Sequence, residues 1–408
     1  MQKAFKGLEK AISEIKGTEM KLSDVCKLIV DCPHSTAKDE GTGYPLIRTP
    51  NIGRGRLKLD GVHRVSENVY LDRNQRATPQ TNDLILAREA PVGNVAVIKD
   101  EKVCLGQRTV LIRPDEKKVD ADFLVYYLLA PKQQHLLLSA SNGATVSHLN
   151  MSAIRNLEID LPEMNKQKRM GRILSKLDDL IVENERINKN LEAQAQAYFI
   201  DQFVVNADPT WPQGTLSDLG TVVGGGTPSK KHPEYYCEHG IPWITPKDLS
   251  VDKSKFISHG ENDISDLGFS NSSATKMPEG TILFSSRAPI GYIAIASNTV
   301  TTNQGFKSII PNTNVGTAFV YYFLKQALPT IEGMASGSTF KEISGSGMKS
   351  VPAVIPDNET LHKFSEFCKP LFKQQAVMEA ENRRLSGIRD ALLPKLMSGE
   401  IDVSDIDL

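Results

Sequence analysis

From Asn165 to Phe203, apolar or small side chains recur at alternating steps of four and three: Met170, Leu174, Leu177, Ile181, Asn184, Asn188, Leu191, Ala195 and Tyr198. That is the heptad seam of a long helix with a partner-facing stripe, interrupted here by two asparagines. Near the C-terminus it returns as Phe364, Cys368, Leu371, Gln375, Met378, Asn382 and Leu385, followed by Ile388 and Leu392, with Asn382 answering Asn188. At about 1.5 Å per residue, a helix of roughly 36 residues spans about 54 Å, more than the diameter of a small domain. The spacing therefore predicts two helices of one design, long enough to hold two domains apart. A buried polar seam residue weakens a coiled coil but fixes its register, so the matched asparagines predict pairing in one defined alignment.

The remainder is a duplication. Leu22-Ser23-Asp24 returns as Leu216-Ser217-Asp218, Pro50 as Pro246, Pro91 as Pro289 and Gly143 as Gly337. The two ends are in phase and the interior drifts, as expected of a frame whose loops took insertions while packed elements did not. In the first copy, β-branched and apolar runs at Tyr44 to Thr49, Leu84 to Ala87, Asn94 to Ile98 and Arg108 to Ile112 read as strands between turn signals. A helix from Asp120 to Leu138 follows, then a strand from Leu157 to Leu161. Phe123-Leu-Val-Tyr-Tyr is echoed by Phe319-Val-Tyr-Tyr-Phe. Val205 to Gly214 has the composition of a linker. Proline lacks an amide proton, so the second helix should kink or end past Pro394, leaving Asp402, Asp405 and Asp407 in a frayed tail.

With 408 residues, 40% hydrophobic and 24% charged, the chain is expected to be a soluble protein of two or three domains. The amphipathic N-terminal helix lacks a signal-peptide core, and no stretch is apolar enough to span a membrane. Five scattered cysteines without a CxxC pair fit a reducing cytoplasm. The net charge of −1 means that binding to a polyanion must come from local basic surface.

Catalytic signatures are missing: there is no GxxxxGK[ST], GxGxxG after a strand, GxSxG or HExxH. His232, Cys237 and His239 lie close together but lack a fourth ligand and a counterpart in the first half, so no metal or cofactor is expected. Basic groups do cluster. Arg54, Arg56 and Lys58 alternate and would share one face of a strand, with Arg48 nearby; such a face suits phosphates or protects an edge strand. The second half has Lys230, Lys231, Lys247, Lys253 and Lys255 in the corresponding region. The duplication of basic loops points to nucleic acid.

Arg88-Glu-Ala-Pro-Val-Gly93 and Arg287-Ala-Pro-Ile-Gly291 read as tight hairpins that the arginines brace. Gln107 and Gln304 follow the next strand, and the loops containing Thr145 and Thr339 correspond. If both domains bind nucleic acid, shared groups can contact only what every site offers, whereas differing groups carry sequence choice. On that argument Arg88, Arg287, Thr145 and Thr339 hold the frame or phosphates. Base readers are sought among Arg54, Arg56, Arg108 and His148 in the first copy, and Ser229, Lys230, Lys307 and Lys341 in the second. Thr227, Lys231 and Lys247 complete the second candidate surface.

Two α/β domains, each followed by a long helix, with Gly224-Gly-Gly-Thr-Pro-Ser229 opening the second and Leu392-Leu-Pro-Lys-Leu-Met-Ser-Gly-Glu-Ile401 near the end, resemble the specificity subunit of type I restriction-modification systems. The similarity covers essentially the whole chain. It departs at Asp31-Cys-Pro-His-Ser-Thr36, where the first copy lacks the glycine-rich turn. The resemblance implies an α+β fold with two pseudo-repeated target-recognition domains and two long helices forming an antiparallel coiled coil. It implies that each domain reads half of a bipartite, asymmetric site in double-stranded DNA while the helices set the gap. Two methyltransferase subunits would dock on it and restriction subunits would join them; the chain itself would be non-catalytic and touch no membrane.

The expected boundaries are an N-terminal helix at 1–17, domains at 18–162 and 215–356, long helices at 163–203 and 357–397, a linker at 204–214 and a flexible tail at 398–408. The expected seam is Leu174, Leu177, Ile181, Asn188, Leu191, Leu371, Met378, Asn382 and Leu385. Two other classes stay open. A duplicated enzyme would use dispersed residues such as His34 with Asp31, and a coiled-coil scaffold would bind proteins alone.

Overall fold

The computed structural model describes residues 20–141, 148–337 and 341–404. The expected N-terminal helix, Thr145 and Thr339 lie outside the described residues. Packing divides the chain into two units, one of residues 1–182 with 383–408 and one of residues 183–382.

Each unit is built on a five-stranded sheet, and the two sheets share one topology. In the first unit β1 (Cys26–Asp31), β2 (Gly55–Arg56), β3 (Leu84–Ala87), β4 (Val95–Val97) and β5 (Thr109–Pro114) lie in the order β1-β5-β3-β4-β2. In the second, β6 (Gly220–Gly224), β7 (Phe256–Ile257), β8 (Ile282–Ser286), β9 (Ile290–Ala296) and β10 (Lys307–Pro311) lie in the order β6-β10-β8-β9-β7. All neighbours are antiparallel except the last pair in each, where Gly55 lies beside Ala96 and Phe256 beside Ile295 in parallel.

The period of two along the strands decides what covers the sheet. Leu84 and Leu86 face a helical layer while Ile85 and Ala87 face a smaller sheet on the other side, and all four are buried. In the second unit Ile282 and Phe284 face the helices and Leu283 the opposite side. Covered on both faces, these central strands carry no polar alternation, which is why their sequences are continuous apolar runs.

The helix expected from Asp120 to Leu138 is two: α1 (Ala121–Leu129) and α2 (Pro131–Ser139). Pro131 forces Ala130 out of the helical region, to ψ 147°. In the second unit α4 (Thr317–Met334) runs on through Pro329.

The long helices are α3 (Met164–Ile200) and α5 (Asn358–Met397). Each contributes to both units. Within the second unit their contacts run antiparallel: Asn184 Nδ2 donates to Asn382 Oδ1 at 2.9 Å, Gln375 Nε2 to the Asn188 carbonyl at 3.1 Å, and Tyr198 packs on Phe367 with ring centroids 4.6 Å apart. In the first unit Arg389 pairs with Asp178 at 2.6 Å, and Met170 and Leu174 share a core with Leu393 and Leu396. Leu174 and Leu385 are buried; Leu177, Ile181, Asn188, Leu191, Leu371, Met378 and Asn382 are half-buried. The matched asparagines do not meet each other, because antiparallel helices place Asn382 opposite Asn184 and Asn188 opposite Gln375.

Helix α5 continues three residues beyond Pro394, and Gly399 at φ 77° then turns the chain back. As far as Ser404 the chain after it is packed, and Asp405 and Asp407 lie outside the described residues. Val403 is fully buried in the first unit's core, and Arg169 donates to its carbonyl at 3.1 Å. An apolar side chain with a place in the core outweighs the chain entropy that frees an ordinary terminus.

Candidate nucleic-acid interface

In the first unit, polar side chains from four separate segments meet at a cleft of about 180 Å³ beside the hairpin after β3. Asp31 closes β1, Arg88 and Glu89 follow β3, Arg108 precedes β5, and His148 comes from the segment before Leu149. They form a chain of alternating partners. Arg88 bonds Asp31 at 2.6 Å and His148 Nε2 at 2.6 Å, His148 Nδ1 meets Glu89 at 2.7 Å, and Glu89 pairs with Arg108 at 2.8 Å. A guanidinium can only donate, so His148 Nε2 accepts from Arg88 and its Nδ1–H donates to Glu89. The two arginines differ in exposure, 7% for the Arg88 side chain and 58% for that of Arg108. Arg88 therefore braces the hairpin, also donating to the Leu149 carbonyl at 2.8 Å, while Arg108 faces out.

The same place in the second unit holds Arg287, Lys307 and Glu342. Glu342 lies 3.4 Å from Arg287 and 3.5 Å from Lys307. Backbone hydrogen bonds give the correspondence. Arg88 N donates to the Arg108 carbonyl as Ser286 N does to Gly305, and Leu149 N donates to the Arg88 carbonyl as Ile343 N does to Ser286. Ala90 and Ala288 share a positive φ, as do Gly93 and Gly291. Arg287 is thus the counterpart of Glu89 and not of Arg88, which corrects the matching of the two arginines by motif; the first hairpin carries one extra residue between arginine and Ala-Pro.

Other expected contacts are engaged in the frame. Only Gly55–Arg56 forms a strand, so Arg54, Arg56 and Lys58 do not share a face. Arg56 is turned onto α3, bonded to Ser175 Oγ at 2.6 Å and Asp179 at 2.7 Å. Arg54 donates to the Leu129 carbonyl at 3.2 Å, Arg48 is half-buried and Lys58 is exposed. In the second unit Lys255, grouped in sequence with the basic loop, is buried. Its ammonium lies 2.5 Å from Glu192 on α3, 3.0 Å from Gln375 on α5 and 3.8 Å from the Phe372 ring centroid. Burial alone would raise the Glu192 carboxyl; the ammoniums of Lys255 and Lys325 outweigh it and hold it down to about 2. Sequence offered no sign of this network, since its partners lie far apart in the chain.

Ser229, Lys230, Lys231 and Lys341 are exposed, Lys247 pairs with Glu261 at 2.6 Å, and Thr227 donates its hydroxyl to Gln304. Two of the three glycines before Thr227 serve close packing: a Cβ on Gly225 would meet the Asn303 carbonyl at 1.9 Å and one on Gly226 the Ala274 amide at 2.4 Å. His34 stands 3.3 Å from Asp31, a carboxylate that Arg88 already occupies. Among the described residues no group of three or more His, Cys, Asp or Glu is disposed to hold a metal, and no helix is long and apolar enough to cross a membrane.

Comparison with known proteins places these features in a family. Residues 15–193 and 209–386 each match the model described as the type I restriction modification DNA specificity domain. The MjaIX type I restriction enzyme specificity subunit of Methanocaldococcus jannaschii is 40% identical over 178 residues, 41% of this chain and 41% of that relative. The HindI specificity subunit of Haemophilus influenzae is 25% identical over 72% of this chain and 80% of the relative. Among solved structures, the S subunit of a type I restriction-modification system from M. genitalium shares the fold at a TM-score of 0.60 and 17% identity, over 93% of this chain and 95% of that one.

Proposed function

The chain belongs to the type I restriction-modification DNA specificity family, and on that premise we propose that it selects the DNA sequence for a complex of methyltransferase and restriction subunits in the cytoplasm. Each unit reads one half of a bipartite, asymmetric site, and the paired helices set the gap. The chain supplies recognition without catalysis of its own, and adenine flipping and methyl transfer belong to the partner. One observation carries this reading: two sheets of identical topology present unlike charged groups at equivalent positions, as two readers of different sequences require.

Exposed apolar residues on the long helices, among them Leu180, Val182, Phe367 and Val377, support the docking of two methyltransferase subunits there. Lys230, Lys231 and Lys341 supply local positive surface for phosphates in the second unit, and Lys58 in the first. The test is coexpression with a type I methyltransferase subunit, followed by mapping of modified adenines. A split motif with a constant gap is expected, with affinity falling steeply as salt rises. Inserting one or two base pairs into that gap should abolish binding and modification; unchanged affinity would refute the ruler.

A further inference from the structure

Three equivalent backbone positions line the charged site in each unit, and their occupants are exchanged. Positions 89 and 287 hold Glu and Arg, positions 108 and 305 hold Arg and Gly, and positions 148 and 342 hold His and Glu. In the first unit a glutamate on the hairpin steadies an arginine from the loop before β5; in the second the arginine is on the hairpin and the glutamate comes from the segment before Ile343. The exchange changes where the guanidinium is presented: from the loop before β5 in the first unit, and from the hairpin in the second, where Lys307 adds a further cation beside Glu342.

We propose that these three positions make the two domains choose different half-sites, with Arg108 in the first and Arg287 in the second each presenting its guanidinium to paired acceptors on a base edge, the pattern that guanine offers in the major groove. This rests on the DNA-reading function proposed above. A phosphate contact needs only charge and is available at every site, so two domains with that need alone would have no cause to move the arginine to another strand end. A planar fork held by a carboxylate is oriented before DNA arrives, and less rotamer freedom remains to be lost on binding. Glu89 and Glu342 are the positioning residues.

The experiment maps modification by the full chain with its methyltransferase partner, for the wild type, Arg108→Ala and Arg287→Ala. Arg108→Ala should relax one base position in the first half-site, on the order of 10- to 100-fold in discrimination, with the second half and the gap unaltered. Arg287→Ala should do the converse, so the untouched half reports that the chain has folded. Unchanged consensus in both halves overturns the proposal. So does uniform weakening across sequences with a salt dependence shallower by about one phosphate contact. Should Arg108→Ala abolish modification, Arg108→Lys decides: a relaxed first half supports the proposal, while the original motif intact, or loss with both variants, overturns it. A wild-type complex without a split motif would instead remove the functional reading on which it rests.

Discussion

Glu192→Gln should cost the second unit more than any other single polar change near its helices. Glu192 accepts from Lys255 and Lys325, each at 2.5 Å, and from the Tyr322 hydroxyl at 2.8 Å. Its side chain is 23% exposed and that of Lys255 only 6%. Removing the anion that both ammoniums share strands a buried ammonium beside a second cation, a change that typically costs about 3–5 kcal/mol. Lys255→Met is gentler, at roughly 1–2 kcal/mol, because it removes the buried cation itself and Glu192, though it loses its bond from Lys255, keeps Lys325 and the Tyr322 hydroxyl. The pH dependence follows from the depressed carboxyl. A group held at about 2 in the folded state contributes its stability above its unfolded value near 4.5 and loses it as pH falls between the two. That interval corresponds to roughly 3 kcal/mol. Both tryptophans, Trp211 and Trp243, belong to this unit, so their fluorescence during urea unfolding reports on it. From pH 4.5 towards pH 2 the wild type should lose more stability than Glu192→Gln, whose remaining loss comes from carboxyls such as Asp208, Glu234 and Asp357 that are also held below their usual range. A loss below about 1 kcal/mol at neutral pH, with parallel pH profiles, would refute the reasoning.

Two further outcomes can be checked in the same way. Gly55 has φ 105°, and a Cβ there would lie 2.2 Å from Asp178 Oδ2; Gly55→Ala should destabilise the first unit by about 1–3 kcal/mol, seen by circular dichroism while the tryptophan transition stays in place. A double-mutant cycle on Asn184 and Asn382, each replaced by Ala, should give a coupling of about 1 kcal/mol, and additivity would show that the pair does not fix the register.

The long helices, their pairing stripe and the duplicated strands were legible because period and apolarity survive in a single sequence. What escaped was information held between distant positions. Nothing in the run from Arg54 to Lys58 separates a cation facing phosphate from one facing a helix, and the partners of Arg56 and Lys255 lie on α3, well over fifty positions away. The hairpins show a subtler limit. Motif matching aligned Arg88 with Arg287, whereas the backbone aligns Ala90 with Ala288, and a slip of one residue exchanges which side chain enters the site. The tail looked free because acidic spacing is visible in sequence and a berth for Val403 is not.

That berth has a consequence for the order of assembly. The second unit is a continuous stretch, residues 183–382, set inside the chain of the first, whose core also needs Leu393, Leu396 and Val403. At a ribosomal pace of about 5–20 residues per second, roughly 10–40 s separate the emergence of the two parts of that core. The domain made first is the one finished last, and until then its unfilled apolar wall is open to whatever chaperone or neighbouring chain arrives.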